Sequence, residues 1–114
     1  MALTFSREPL SAAPTGIPFP VSATGTPGNT IHICTSSLVG YDEIYVWVSN
    51  ISAAKATLSI LFGNGFLCKD VSIPANSPPI PIITGQGSRN GLPVTAYSNT
   101  ANVLNLFGFV NRAI

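Results

Sequence analysis

Charged side chains are scarce in this sequence. Its 114 residues include only five Lys or Arg, four Asp or Glu and one His, so charged residues make up 8% of the chain and the formal net charge is +1. No run of Lys and Arg is present to neutralise a phosphate backbone, which argues against direct binding of DNA or RNA. The small net charge also provides little repulsion between copies of the chain, so self-association is opposed only weakly.

The sequence also lacks the residue sets that catalysis and metal binding use. Its single histidine, His32, lies between two isoleucines on a predicted strand, so no Ser or Cys has an evident base beside it. His32 and Cys34 share one strand face, but two ligands on one strand do not make a metal site. Cys34 and Cys68 are expected to be reduced structural thiols. We therefore predict no catalytic residues, no metal and no cofactor.

The few carboxylates do not form an evident pair. Asp42 and Glu43 are adjacent in the sequence, and adjacent strand residues point to opposite faces, so they do not suggest the paired acids of glycoside hydrolysis, and nothing fixes a distance to Asp70. We interpret Asp42 and Glu43 as a solvated turn.

Long apolar runs and leader-like features are absent as well. No apolar stretch approaches the roughly 18 residues of a membrane-spanning helix. The first residues lack a basic segment followed by an apolar one, so no signal peptide is predicted. We expect no membrane partner and synthesis in the cytoplasm.

Strand signals follow one another from residue 29 onward. Alternating apolar residues are separated by clusters of Gly, Asn, Ser and Pro, and no segment has helical periodicity. This pattern predicts an all-β fold, an antiparallel β-sandwich of jelly-roll type with about seven or eight strands. The candidate strands cover residues 29–35, 43–51, 55–62, 66–73, 80–85, 92–98 and 102–111.

Local sequence predicts three chain reversals and one sheet edge. Asn64-Gly65 and Asn90-Gly91 favour tight turns because Asn and Gly accept positive φ. Residues 98–101 predict a reversal before the last strand. Prolines around residues 80–83 place that segment at a sheet edge or in irregular extended structure, since proline has no backbone donor for a ladder.

The first 28 residues contain five prolines among small residues, which excludes a helix. We interpret residues 1–28 as an extended N-terminal arm and residues 29–114 as the β-sandwich domain. Apolar side chains would let the arm dock, either on the same subunit or on a neighbour; they are Leu3, Phe5, Leu10, Ile17, Phe19 and Val21.

Several strands are apolar on both faces. In one of them Ile44, Val46 and Val48 share one side, and Tyr45 and Trp47 share the other. If the aliphatic side faces the core, the rings need a second covering surface, because exposed aromatic patches are typical of interfaces. That surface could be the arm or a loop of the same chain, another copy, or a larger assembly. The interface candidates are Phe5, Phe19, Tyr45, Trp47, Phe107 and Phe109.

The chain resembles the capsid decoration, or cement, proteins of tailed bacteriophages over about three quarters of its length. The resemblance lies in residues 29–32 (Asn-Thr-Ile-His), 42–50 (Asp-Glu-Ile-Tyr-Val-Trp-Val-Ser-Asn), 56–60, 71–75 and 100–112. It implies a sandwich that self-associates as a trimer or dimer and clamps capsid subunits, with an extended terminal arm. We therefore expect a non-enzymatic structural protein of the virion, made in the host cytoplasm.

Two alternatives remain open at this point. Head-fibre, neck and tail components of a phage have similar small β-domains. A carbohydrate-binding sandwich would use Tyr45, Trp47 or Tyr97 to stack on sugar rings. A hydrolase on a β scaffold is the least favoured class, because the sequence offers no acid, base or metal constellation.

Overall fold

The computed structural model describes residues 4–114, so the arm residue Leu3 lies outside the described part. Within that part the chain forms nine strands and no helix, which confirms the all-β prediction. The strands are β1 (Phe5–Pro9), β2 (Phe19–Pro20), β3 (Asn29–Ile33), β4 (Tyr41–Asn50), β5 (Ala56–Phe62), β6 (Gly65–Ile73), β7 (Ile80–Ser88), β8 (Pro93–Ser98) and β9 (Leu104–Ala113).

The strands form two antiparallel sheets. The first has the order β1-β9-β4-β7, with β2 also paired to β9, and the second has the order β3-β8-β5-β6. Strands β3 to β9 overlap the predicted strands one for one. As the prolines predicted, β7 lies at the edge of its sheet, where Pro81 is opposite Trp47 of β4.

Both sheets contribute to one hydrophobic core. Strand β4 alternates strictly between buried and partly exposed residues, and its Ile44, Val46 and Val48 are completely buried. Leu58 and Ile60 of the second sheet are also completely buried and belong to the same cluster. Full burial of each such side chain stabilises the fold by about 1.5–3 kcal/mol. The aliphatic faces therefore hold the two sheets together, as the alternation predicted.

Residues 4–28 lie along their own chain. Strand β1 pairs with β9, and the two-residue strand β2 pairs with β9 beyond it. Leu10 and Val21 are buried in the same core as the two sheets. The backbone of Val21 is hydrogen-bonded on both sides, by donating to Leu104 at 2.9 Å and by accepting from Asn102 at 2.8 Å. The sequence left open whether this segment docks on its own subunit or on a neighbour, and the structure shows docking on its own subunit.

The turns follow the sequence signals with one shift. Phe62 pairs with Gly65, so the central residues of the first tight turn are Gly63 and Asn64, and positive φ (61°) falls on Gly63. The predicted Asn64-Gly65 centre was wrong by one residue, because a two-residue turn can also begin with glycine. Asn90 and Gly91 both have positive φ as predicted, although their turn leads from one sheet to the other.

Candidate functional site

Four of the six interface candidates lie together on the outer face of the five-stranded sheet. Strand register places Tyr45 beside Phe109 and Trp47 beside Phe107. The ring centroids are 5.1 Å apart for Tyr45 and Phe109, 6.3 Å for Trp47 and Phe107, and 6.0 Å for Trp47 and Phe109. We call these four residues the aromatic row. They face away from the core, as the alternation of β4 and β9 predicted.

The rings of the aromatic row cover part of one another's faces. The planes of Tyr45 and Phe109 differ by 21°, and those of Trp47 and Phe107 by 11°, so neighbouring rings are stacked. The guanidinium of Arg7 lies 4.4 Å from the centre of the Phe109 ring. Such a cation–π contact contributes about 0.5–1 kcal/mol at an exposed site. Each ring of the row is consequently half-buried already within the single chain.

The N-terminal segment covers part of this face. Besides the Arg7 contact, Gly16 lines a shallow groove together with Trp47 and Phe107. The covering of the rings by their own chain, one of the alternatives drawn from the sequence, is therefore realised in part. The rest of the row faces solvent.

The other two interface candidates have different environments. Phe5 is 68% exposed at the end of β1. Phe19 packs against the core and pairs with Leu106, so its ring supports the fold. Tyr97 lies in the second sheet, where its ring meets Phe66 edge to face at 6.4 Å.

Close approach of β4 and β9 requires a glycine beside the aromatic row. A Cβ atom at Gly108 would overlap the backbone carbonyl of Tyr45, so no other residue fits there without moving a strand. Gly108 therefore allows the flanking Phe107 and Phe109 to reach the rings of β4.

Polar side chains converge at the end of the aromatic row. The phenol of Tyr45 donates to Oε1 of Glu43 at 2.8 Å, and the amide of Asn111 donates to the same oxygen at 3.3 Å. The hydrogen bond to Glu43 raises the pKa of Tyr45 above its ordinary value. A groove of about 350 Å³ opens here, and we call it the polar groove; it is lined by Phe5, Ser6, Arg7, Tyr41, Glu43 and Asn111.

Sequence reasoning missed the polar groove. Arg7 and Asn111 are paired across β1 and β9, and Glu43 is opposite Asn111 across β4 and β9. Their convergence depends on the register of three strands that are distant in the sequence. Alternation within one strand gives no signal for it.

A second polar cluster is buried between the sheets and centres on Asp42. Arg112 donates to its carboxylate twice, through Nε at 2.7 Å and Nη2 at 3.0 Å, and the Thr35 amide donates at 3.0 Å. His32 Nε2 lies 2.8 Å from the same carboxylate. Burial alone would raise the pKa of Asp42, but the hydrogen bonds from Arg112 and His32 outweigh it and lower the pKa.

The interpretation of Asp42 as part of a solvated turn was wrong. Its side chain is completely buried, on the same side of β4 as Ile44. The alternation of the strand begins at Tyr41 and so directs Asp42 inward, where Arg112 supplies the opposite charge. Glu43 points outward to the polar groove.

His32 links this cluster to the N-terminal segment. Its Nδ1 accepts the Ser11 amide at 3.1 Å and lies 2.9 Å from Ser11 Oγ. Since Nδ1 is an acceptor, Nε2 carries the hydrogen and donates to Asp42. His32 is buried, and both of its ring nitrogens are hydrogen-bonded.

Three side chains of this cluster have the chemistry of metal ligands. The ligand atoms of His32, Cys34 and Asp42 lie within 4.8 Å of one another. Arg112 occupies the carboxylate, however, and burial raises the pKa of Cys34, which disfavours the thiolate that binds metals. Binding at Nε2 of His32 would also move its hydrogen to Nδ1, which faces the Ser11 N–H. The cluster fits its own hydrogen bonds better than it fits a metal ion.

The expectation that no Ser has a base beside it was wrong, because Ser11 Oγ lies 2.9 Å from His32 Nδ1. With Asp42 they have the order of a nucleophile, a base and an orienting carboxylate. Acyl transfer uses free donors, commonly backbone N–H groups beside the nucleophile, to stabilise an oxyanion. Here the amides of Ser11, Ala12 and Ala13 all donate within the chain. Their hydrogen bonds join the N-terminal segment to His32 of β3 and, through it, to Asp42 of β4.

No family model, curated protein or solved structure matches this chain. The described residues include no helix with the length and hydrophobicity needed to cross a membrane.

Proposed function

We propose that this protein is a non-enzymatic structural component of a virus particle that binds capsid subunits through the aromatic row and self-associates as a dimer or trimer. The proposed architecture is a jelly-roll-like β-sandwich that decorates a phage head. The observation that supports this proposal is the aromatic row itself, which lies on the outer face of a sheet whose other face already packs on the core. The association with a virion is supported by the sequence resemblance.

Energetics limit how such a surface can work. The four rings are partly buried in the single chain, so each adds less than the about 1.5–3 kcal/mol of full burial. Phe5 and Ile17 belong to the same N-terminal segment as Arg7 and Gly16, which lie against the row, and they are 68% and 69% exposed, so they have most of their burial energy left. The summed burial free energy of the four rings, Phe5 and Ile17 remains comparable to the free-energy cost of association, about 4–15 kcal/mol. A dimer or trimer that contacts several capsid subunits at once would overcome this limit, because the second contact of linked chains forms at a high effective concentration.

The experiment measures binding of the purified chain to particles of its own virus that lack it. Trp47→Ala is expected to weaken binding by at least about tenfold, the effect of losing roughly 1.4 kcal/mol of contact. Phe66→Ala is the matched control, because Phe66 is a partly exposed ring on the other sheet. Circular dichroism and urea unfolding would check that both variants fold.

Two readouts decide the outcome. Cryo-electron microscopy of the decorated particle should place the chain on the head surface with the aromatic row against a capsid subunit; density at the neck or tail would contradict the decoration role. Sedimentation at high concentration should show a dimer or trimer. If Trp47→Ala binds as well as the parent chain, the assignment of the aromatic row to capsid binding is wrong.

A further inference from the structure

The polar groove contains one positive and one negative side chain that are not paired with each other. Arg7 is exposed and its guanidinium lies 4.4 Å from the centre of the Phe109 ring, so its N–H donors are accessible to a ligand. Glu43 accepts two hydrogen bonds at Oε1, and its Oε2 has no hydrogen-bond partner among the described residues. Donors and acceptors are thus available side by side.

These charges restrict the class of ligand. An anion that approached Arg7 would also meet the carboxylate of Glu43, and a cation that approached Glu43 would meet Arg7. A neutral molecule with both donors and acceptors avoids either repulsion. The planar groups of Arg7, Glu43 and Asn111 each offer adjacent polar atoms, which suits a pair of neighbouring hydroxyl groups.

The groove also provides an apolar surface. Phe5 is 68% exposed, so much of its ring is open to solvent, and Tyr41 lines the same groove. A sugar ring has hydroxyl groups at its edge and apolar C–H groups on its face, and it needs both kinds of contact. The volume of about 350 Å³ lies within the range of small-ligand sites, about 300–1,000 Å³.

We infer that the polar groove binds a neutral sugar residue, with the ring face on Phe5 and the hydroxyl groups on Arg7, Glu43 and Asn111. The site differs from the one considered from the sequence, since Tyr45 and Trp47 are stacked with other rings and Tyr97 belongs to the second sheet. Glu43 is held in place before binding by Tyr45 and Asn111, so little ordering is needed.

The test is a titration of the isolated chain followed by NMR of its backbone amides. The probes are the methyl glycosides of glucose, galactose, mannose and N-acetylglucosamine, together with trisaccharides of whichever residue binds. At least one glycoside is expected to shift the amides of residues 5–7, 41–43 and 111. Tighter binding of the trisaccharide would identify a residue within a longer glycan as the source, and equal binding would identify a free sugar.

Matched variants on the two sheets separate the groove from general surface effects. Arg7→Met, Glu43→Gln and Phe5→Leu should each weaken the affinity about tenfold or more, because each removes a direct contact. Their controls are Lys69→Met, Asp70→Asn and Phe66→Leu, which should change it less than twofold. Lys69 is a suitable control for Arg7 because its ammonium group also lies over a phenylalanine ring, 5.3 Å from the centre of Phe66.

Three outcomes would overturn the inference. The first is that no glycoside shifts the groove amides at about 100 mM, a hundred times a dissociation constant of about 1 mM. The second is that the groove variants bind as the controls do. The third is that a neutral peptide shifts the same amides when the glycosides do not. Because the titration uses the chain without capsids, it succeeds or fails independently of the capsid-binding proposal.

Discussion

Replacing Arg112 by Met tests whether the buried cluster around Asp42 stabilises the fold. The substitution keeps an unbranched side chain and removes both hydrogen bonds from Arg112 to the carboxylate, at 2.7 and 3.0 Å. Within residues 4–114, His32 and Thr35 would remain as the donors to a completely buried anion. Breaking a buried ion pair from one side costs about 3–5 kcal/mol. Because the Arg112 side chain is 27% exposed and water could partly replace it, we expect the lower end, about 3 kcal/mol.

The pH dependence of this loss has a defined sign. In the parent chain burial acts to raise the pKa of Asp42, but the hydrogen bonds from Arg112 and His32 lower it overall. Its contribution to stability is therefore full above the unfolded value of about 3.9 and is lost as the pH falls through the lowered folded pKa. Without Arg112, fewer hydrogen bonds oppose the effect of burial, so we expect a higher pKa for Asp42 in the variant than in the parent chain. Protonation at low pH then removes the unpaired buried charge from the variant. The difference between the two chains should shrink as the pH falls from 7 to about 3.5.

Urea unfolding followed by Trp47 fluorescence at pH 7 and pH 3.5 measures both effects. With a slope of about 1–3 kcal/mol per molar urea, the expected loss lowers the midpoint by about 1–3 M at pH 7. Arg89→Met is the control, since Arg89 is exposed and its side chain donates to the Leu38 carbonyl, at 3.1 Å, rather than to a carboxylate. A midpoint within about 0.2 M of the parent at pH 7, or an equal loss at both pH values, would refute the reasoning.

Two further substitutions test the packing. Leu10→Ala should lower the free energy of unfolding in urea by about 2–5 kcal/mol, because Leu10 is buried in the shared core. Ile17→Ala in the same segment, at a 69% exposed position, should lower it little. Equal effects would contradict the docking of residues 4–28. Gly108→Ala should lower the thermal midpoint sharply because its Cβ would overlap the Tyr45 carbonyl. Gly25→Ala, where a Cβ meets nothing within 4 Å, is its control, and similar midpoints for the two would show that β4 and β9 do not approach as described.

Alternation within single strands was sufficient to predict much of this structure. The division of β4 into an aliphatic inner face and an aromatic outer face follows from the two-residue period alone, and the structure confirms it at Val46 and Trp47. Positive φ at Asn90 and Gly91 likewise depends on local sterics. Features set by neighbouring residues could therefore be predicted without knowledge of strand pairing.

Contacts between distant segments could not be predicted in this way. The sequence around Asp42 indicates a turn, and its buried position is explained only by Arg112, which lies seventy positions later in the chain and opposite it across β4 and β9. The prolines of the first 28 residues are compatible with a free arm and with short edge strands. Only the assembled core, in which Leu10 and Val21 are buried, distinguishes a free arm from short edge strands. The polar groove depends on the same long-range register.

Strand β9 joins the first sheet together, because β1, β2 and β4 all pair with it while it is formed by residues 104–113. On a ribosome, β1 and β2 would lack their ladder partner, and β4 would be paired only with β7, until residues 104–113 had been synthesised. Contacts that span such a length of sequence slow folding, to the range of milliseconds to seconds for all-β domains. The edge of β4 that pairs with β9 would be open to other chains throughout that interval, so the yield of native protein should depend on synthesis rate and on chaperones.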